Sequence, residues 1–273
     1  MLRRLTVAVA SAGLLFGLAA CGSGSDSGGS GSDDVLTVGA SPAPHAEILG
    51  YVKDNLAGKN GLKLEIKEFS DYVQPNLALN DGQLDANFFQ HKPYLDDFSK
   101  SKGLKLAFVA PVHLEPLGAY SKKVKSVNEL PQGATVAIPN DATNGARALK
   151  LLADNGLITL KPGAGANATE RDVATNAKGL KFKALEAAQL PRSLQDVELA
   201  VINGNFALEG GLTPAKDALV LEKAQGNPYA NGVVTKAGDE NDPQVRKLVQ
   251  LLQGPEVKKF IQDKYQGSVL PAA

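Results

Sequence analysis

From residue 36 onward, short apolar runs alternate with longer segments of helical period. Residues 36–40 predict a strand, and residues 44–56 a helix with a proline near its first turn. Residues 62–69 alternate apolar and charged positions, the period of a half-buried strand. A helix over 74–80, a strand over 84–89, a helix over 93–100 and a strand over 105–112 continue the series. After Gly118 the pattern restarts, with strands over 135–138, 181–185 and 199–202 and a helix over 144–154. The last segment, 242–265, sets Val245, Leu248, Val249 and Leu252 on one helical face, and Pro255 breaks or kinks it.

Alternation of this kind predicts an α/β architecture with mainly parallel sheets. The restart implies two lobes with crossings near 118–122 and 231–236, so that 35–119 with 235–273 make lobe 1 and 120–234 lobe 2. Ligands of α/β folds sit at the carboxyl ends of strands, and a lobe interface is a favoured pocket. A hydrophobic content of 43% supports a full core. Lysine plus arginine equals aspartate plus glutamate, 29 each, and no basic stripe stands out. That balance provides no field to attract nucleic acid.

The first 34 residues follow a different pattern. Met1-Leu-Arg-Arg4 is a basic start, and 5–20 is an apolar run shorter than the ~20 residues of a membrane-spanning helix. Leu18-Ala-Ala-Cys21 closes it, which predicts a secretory signal over 1–20. Residues 22–34 contain only Gly, Ser and Asp, a composition that stays a flexible tether. Ending the signal on the chain's single cysteine resembles the lipobox of bacterial lipoproteins. The resemblance implies that Cys21 is lipidated, becomes the mature N-terminus and holds the body at the extracytoplasmic face of the cell membrane. A signal that happens to end in cysteine, or an uncleaved anchor helix, is the alternative.

Several separated blocks carry a wider resemblance. They are Val38-Gly-Ala-Ser-Pro-Ala-Pro-His-Ala-Glu-Ile-Leu49, Asp71-Tyr-Val-Gln-Pro-Asn76, Asp85-Ala-Asn-Phe-Phe-Gln-His-Lys-Pro-Tyr-Leu95, Asn140-Asp-Ala-Thr-Asn144 with Arg147, Gln189-Leu-Pro-Arg-Ser193, Val201-Ile-Asn203 and Gly211-Leu-Thr-Pro-Ala-Lys-Asp217. In this order they resemble the methionine-binding lipoproteins of the NlpA/MetQ type, the substrate-binding proteins of a bacterial ABC importer. The resemblance implies the two-lobed periplasmic-binding-protein fold with a ligand cleft between the lobes. It also implies L-methionine or a related small amino acid as ligand, and a permease with its ATPase as partner. It implies no catalysis and no cofactor. Two places depart from the family pattern. Asn140-Asp-Ala-Thr-Asn-Gly-Ala-Arg147 stands where Asn-Asp-Pro-Thr-Asn-Leu-Gly-Arg is usual, and Gly204 and Phe206 replace the usual Thr and Tyr.

A zwitterionic amino acid with an apolar tail needs a cation for its carboxylate, acceptors for its ammonium and an apolar slot. Arg147 offers a planar fork to a carboxylate, and Asn144, three residues earlier, shares its helix face. The alternative for Arg147 is a solvated helix residue. Lys92 precedes a proline and is biased to extended backbone, so Phe89 and His91 are expected on one side. With Tyr72 and Tyr94 they would line the tail slot, Phe88 remaining in the core, while a structural role for His91 stays open. Asn203 follows a strand and Asn231 lies at the second crossing; either amide can hold the ammonium or the carboxylate.

Two other functions were weighed against this one. His45, His91 and His113, with Glu47 or Glu115, would suit a divalent metal such as zinc or manganese if they met in the cleft. An extracellular hydrolase has no local signature to support it. Gly163-Ala-Gly-Ala-Asn-Ala168 matches a dinucleotide fingerprint but follows no clear strand, and reads as a loop.

Overall fold

The computed structural model describes residues 35–272. The signal over 1–20, Cys21 and the tether lie outside the described residues. The chain runs through β1 (Leu36–Ala40), α1 (Glu47–Val52), β2 (Leu64–Glu68), α2 (Gln74–Asn80), β3 (Ala86–His91), α3 (Lys92–Lys102) and β4 (Leu106–Leu114). It then crosses into β5 (Gly118–Tyr120), β6 (Thr135–Pro139), α4 (Ala142–Asp154), β7 (Thr159–Leu160), β8 (Val173–Thr175) and β9 (Lys181–Leu185). The second lobe is completed by α5 (Leu190–Ser193), β10 (Leu199–Ile202), α6 (Gly204–Glu209), α7 (Pro214–Asp217) and β11 (Val220–Leu221). Finally β12 (Ala230–Lys236), α8 (Pro243–Leu252), α9 (Pro255–Tyr265) and β13 (Leu270–Pro271) return to the first lobe.

One sheet has the order β13-β4-β12-β3-β1-β2, the other β11-β5-β10-β6-β9. Only the β1–β2, β1–β3, β6–β9 and β6–β10 pairs of these sheets are parallel; β12, β13, β5 and β11 pair antiparallel. The sheets are therefore mixed rather than mainly parallel. A strand that enters from the other lobe has no crossover helix to bring it round parallel. The crossings fall at 115–117 and 222–229, a few residues before the expected positions, because β12 belongs wholly to the first sheet and β5 wholly to the second.

Local chemistry accounts for the helix ends. Asp141 caps α4 by accepting from the Asn144 N–H at 2.9 Å, so this helix starts two residues earlier than expected. Asp242 caps α8 in the same way, with Pro243 in the first turn. Pro255 breaks the last segment outright into α8 and α9. Over residues 44–56 only Glu47–Val52 is regular α-helix, with π-type turns on either side. Each lobe has its own core. Val38, Phe88, Leu49, Leu248 and Ile261 meet in the first; Val136, Leu149, Leu152 and Val201 meet in the second. Each such fully buried side chain contributes about 1.5–3 kcal/mol.

Gly232 shows how tightly the central strand is held. It sits in β12 between β3 and β4, next to breaks in the register on both sides. A Cβ there would collide with the Ala110 carbonyl oxygen and the Phe108 ring. Gly232→Ala is therefore expected to destabilise the protein by about 1–3 kcal/mol. Urea denaturation at unchanged slope measures it; an unchanged midpoint would show that the strand gives way without cost.

Candidate functional site

The carboxyl ends of β3, β6 and β10 and the two crossings converge on one cleft between the lobes, which is nearly closed, with a cavity of about 20 Å³. Lobe 1 contributes Tyr72, Phe89, His91, Tyr94 and Asn231 to its lining; lobe 2 contributes Asn144, Arg147 and Asn203. The structure thus gathers all eight candidate residues at one place. Gln90, Glu115, Gly204 and Asn205 complete the wall.

The aromatic side is a connected cluster. Tyr72 lies 5.9 Å from Phe89, 5.6 Å from Tyr94 and 4.9 Å from Phe206, ring centre to ring centre. Phe88 points the other way into the lobe 1 core, as strand alternation requires. The Tyr94 hydroxyl donates to the Tyr72 carbonyl oxygen at 2.9 Å, fixing the loop that carries Tyr72. Behind this wall, Asn76, Asn87 and Gln90 satisfy one another in a buried amide network that ties α2 to β3.

His91 has a structural duty. Its Nδ1 accepts from the Tyr94 N–H at 3.1 Å and caps α3, which starts at Lys92; Lys92 is thus helical rather than extended. With Nδ1 so used, Nε2 carries the proton and donates to Asn144 Oδ1 at 3.1 Å, across the cleft. Burial, with Arg147 nearby, pushes the His91 pKa down to about 3, so the ring is neutral. Asn144 Oδ1 also accepts from Asn203 Nδ2 at 3.0 Å, and its own amide donates to Asp141. Asn203 Oδ1 is buried without a protein partner. A second direct contact across the cleft runs from the Tyr72 hydroxyl to Asn205 Oδ1, at 2.5 Å.

Arg147 is buried at 3% exposure and is not a solvated helix residue. Its Nε and Nη2 bind the Glu222 carboxylate at 3.0 and 2.5 Å, and Nη2 also donates to the Glu115 carbonyl oxygen at 3.0 Å. The Tyr229 ring lies 4.3 Å from its central carbon, a cation–π contact. None of these bonds uses Nη1. Arg147 in turn holds the Glu222 carboxyl below the usual carboxylate range, against the opposing pull of burial.

Sequence reasoning missed Glu222 and Tyr229, and gave Glu115 only a place in the metal alternative. Of that alternative's residues, His45, His113 and Glu115 converge, with ligand atoms within 4.8 Å of one another. His91 is committed to Asn144, and Glu47 to Tyr265 and Lys264. The visible signal was a charged residue closing an otherwise apolar strand, in Val112-His-Leu-Glu115. Gly204, one of the departures from the family pattern, packs directly on Glu115. A Cβ at that position would lie 2.7 Å from the Glu115 Cβ. The residues 163–168 lie in the connection between β7 and β8, away from the cleft. Among the described residues, no helix is long and apolar enough to cross a membrane.

Residues 36–273 match the NlpA lipoprotein family. The D-methionine-binding lipoprotein MetQ of Escherichia coli K12 is 44% identical over 237 residues, 86% of this chain and 87% of the relative. A nutrient-binding protein from Burkholderia cenocepacia, solved bound to methionine, superposes with a TM-score of 0.84 at 48% identity, covering 88% of this chain and 100% of the other. The periplasmic substrate-binding protein of an ABC transporter from Coxiella burnetii gives a TM-score of 0.84 at 42% identity, covering 87% and 100%.

Proposed function

The chain belongs to the NlpA lipoprotein family, and on that premise we propose that it is a lipid-anchored extracytoplasmic receptor which captures methionine and delivers it to an ABC importer. It performs no chemistry of its own. The observation that carries this reading is the composition of the cleft. A buried guanidinium and buried amides stand on one side, and a Tyr72–Phe89–Tyr94 wall on the other. The carboxylate meets the free Nη1 edge of Arg147; Asn203 and Asn231 take polar atoms of the head group; the thioether lies against the aromatic rings, where sulfur contacts contribute about 0.3–1.5 kcal/mol each. A permease with its ATPase receives the ligand, and a lipid on Cys21 keeps the receptor at the membrane surface.

Ligand contacts drawn from both lobes favour the closed arrangement, since a ligand shifts an equilibrium only by binding one state better. Methionine at a hundred times its Kd adds about 2.7 kcal/mol of stability. For a body of this size that raises the melting temperature by roughly 5–10 °C. A thermal-shift screen across the twenty amino acids, with mass spectrometry of whatever co-purifies, tests the reading. Stabilisation by methionine is expected. A flat response to every amino acid, with shifts from divalent metals alone, would replace it by the metal-receptor function.

A further inference from the structure

The ionisable groups of the cleft do not balance. Arg147 and Glu222 hydrogen-bond to each other as a pair. Glu115 is a second carboxylate, 4% exposed, with no salt-bridging lysine or arginine. The histidines around it supply no charge. Burial lowers the pKa of His45 to about 4 and of His113 to about 3, so both rings are neutral near pH 7. They supply hydrogen bonds instead. His113 Nε2 lies 2.7 Å and His45 Nε2 3.2 Å from the same oxygen, Oε1. Both Nδ1 atoms are buried without partners, which fits neutral rings that carry their single proton on Nε2; His113 donates it to Glu115 at 2.7 Å, and His45 to Asn231 Oδ1 at 3.4 Å. The Asn205 main-chain N–H also faces this carboxylate and favours its charged form.

His113 therefore holds Oε1 and aims the side chain, with the His45 ring packed beside it. Oε2 lies against Gly204, 2.9 Å from where a Cβ would stand, in the cleft wall that both residues line. Arg147 donates to the main-chain oxygen of this same Glu115. The cleft thus places a guanidinium beside the residue that carries the second carboxylate, and both line its wall. Burial pushes the Glu115 carboxyl upward, only partly offset by His45, Arg147 and the Asn205 main chain, the condition that a ligand cation beside it relieves.

We propose that Glu115, oriented by the hydrogen bond from His113, is the residue that pairs with the α-ammonium of the bound amino acid. This deepens the methionine-receptor reading and rests on it. Glu115 then makes the receptor selective for ligands with a free amine, and Gly204 is required so that its side chain fits. The cluster's other chemistry is a divalent cation held by the same three side chains, and the test separates the two.

Protein stripped of endogenous ligand is titrated calorimetrically with methionine and with γ-(methylthio)butyrate, which is methionine without its amine. Wild type is expected to prefer methionine on the order of 100-fold, the scale for losing one partner of a buried charge pair. Glu115→Gln should lose that preference, because methionine binding falls while butyrate binding holds or tightens. Equal losses for both compounds, or a preference kept in Glu115→Gln, would overturn the proposal. Should Glu115→Gln not fold, Glu115→Asp keeps the charge but shortens its reach, and a methionine-specific loss is again expected. One equivalent of Zn²⁺ bound by wild type, lost in the Glu115 variant and unaffected by methionine, would assign the cluster to a metal instead. If wild type ignores methionine but binds another amino acid, the ligand assignment fails. The same ratio, measured with that amino acid and its deaminated acid, then decides on Glu115.

Discussion

Arg147→Ala is expected to weaken methionine binding by about two to three orders of magnitude. The substitution leaves a ligand carboxylate desolvated without its cation, at roughly 3–5 kcal/mol, and ~1.4 kcal/mol corresponds to tenfold in affinity. The structure adds a second consequence. Glu222 loses its bidentate partner and becomes an uncompensated carboxylate in a mostly buried place, so the empty protein loses stability as well. Arg147→Ala combined with Glu222→Gln removes that second effect and isolates the loss in binding. Arg147→Lys recovers only part, since a point charge cannot serve Glu222 and a ligand along two edges of one plane. Phe89→Ala removes a share of the ~1.5–3 kcal/mol from burying the tail and costs about tenfold. Calorimetric titration ranks the four proteins. Affinity within a few-fold of wild type in the double variant would confine Arg147 to holding Glu222 and Tyr229.

The contrast between Arg147 and Glu222 shows what could be read from the sequence. Arg147 and Asn144 were paired because three residues on a helix bring two side chains to one face, a rule that needs only local periodicity. Glu222 reaches Arg147 across 75 residues of chain, from the residue just after a two-residue strand with no pattern of its own. No local signal links them. The same holds for the crossings. Repeating strand–helix units revealed two α/β series, but β12 runs antiparallel through Ala230-Asn-Gly232, residues that read as a turn until the neighbouring strands are in place. The histidines differ in another way. Their residue type is visible in the sequence, but neutral imidazoles beside a carboxylate fit a metal site and a hydrogen-bonding role equally. Only the geometry, with His113 bonded to Glu115 at 2.7 Å and His45 to Asn231 at 3.4 Å, shows what each ring holds.

Cys21→Ala is expected to move the protein wholly from the membrane to the soluble fraction while leaving methionine affinity unchanged. The first half follows from the anchor. Each buried methylene of an acyl chain contributes about 0.8 kcal/mol, stable attachment takes more than one chain, and the proposed lipid would be carried by the chain's single cysteine. The second half follows from the fold. The described body begins at Val35, and Leu36 opens β1, whose parallel partners β2 and β3 run alongside it. The cleft lies at the opposite, carboxyl ends of the strands, about 3.3 Å further per residue. Val35 therefore lies at the end of the strands away from the ligand, and the residues that line the cleft all lie within the described body. Fractionation after a salt wash, followed by titration of the released protein, tests both halves. Cys21→Ala protein that stays with the membrane would identify 5–20 as an uncleaved anchor helix. Release with a loss of affinity would mean that residues before Val35 reach the cleft.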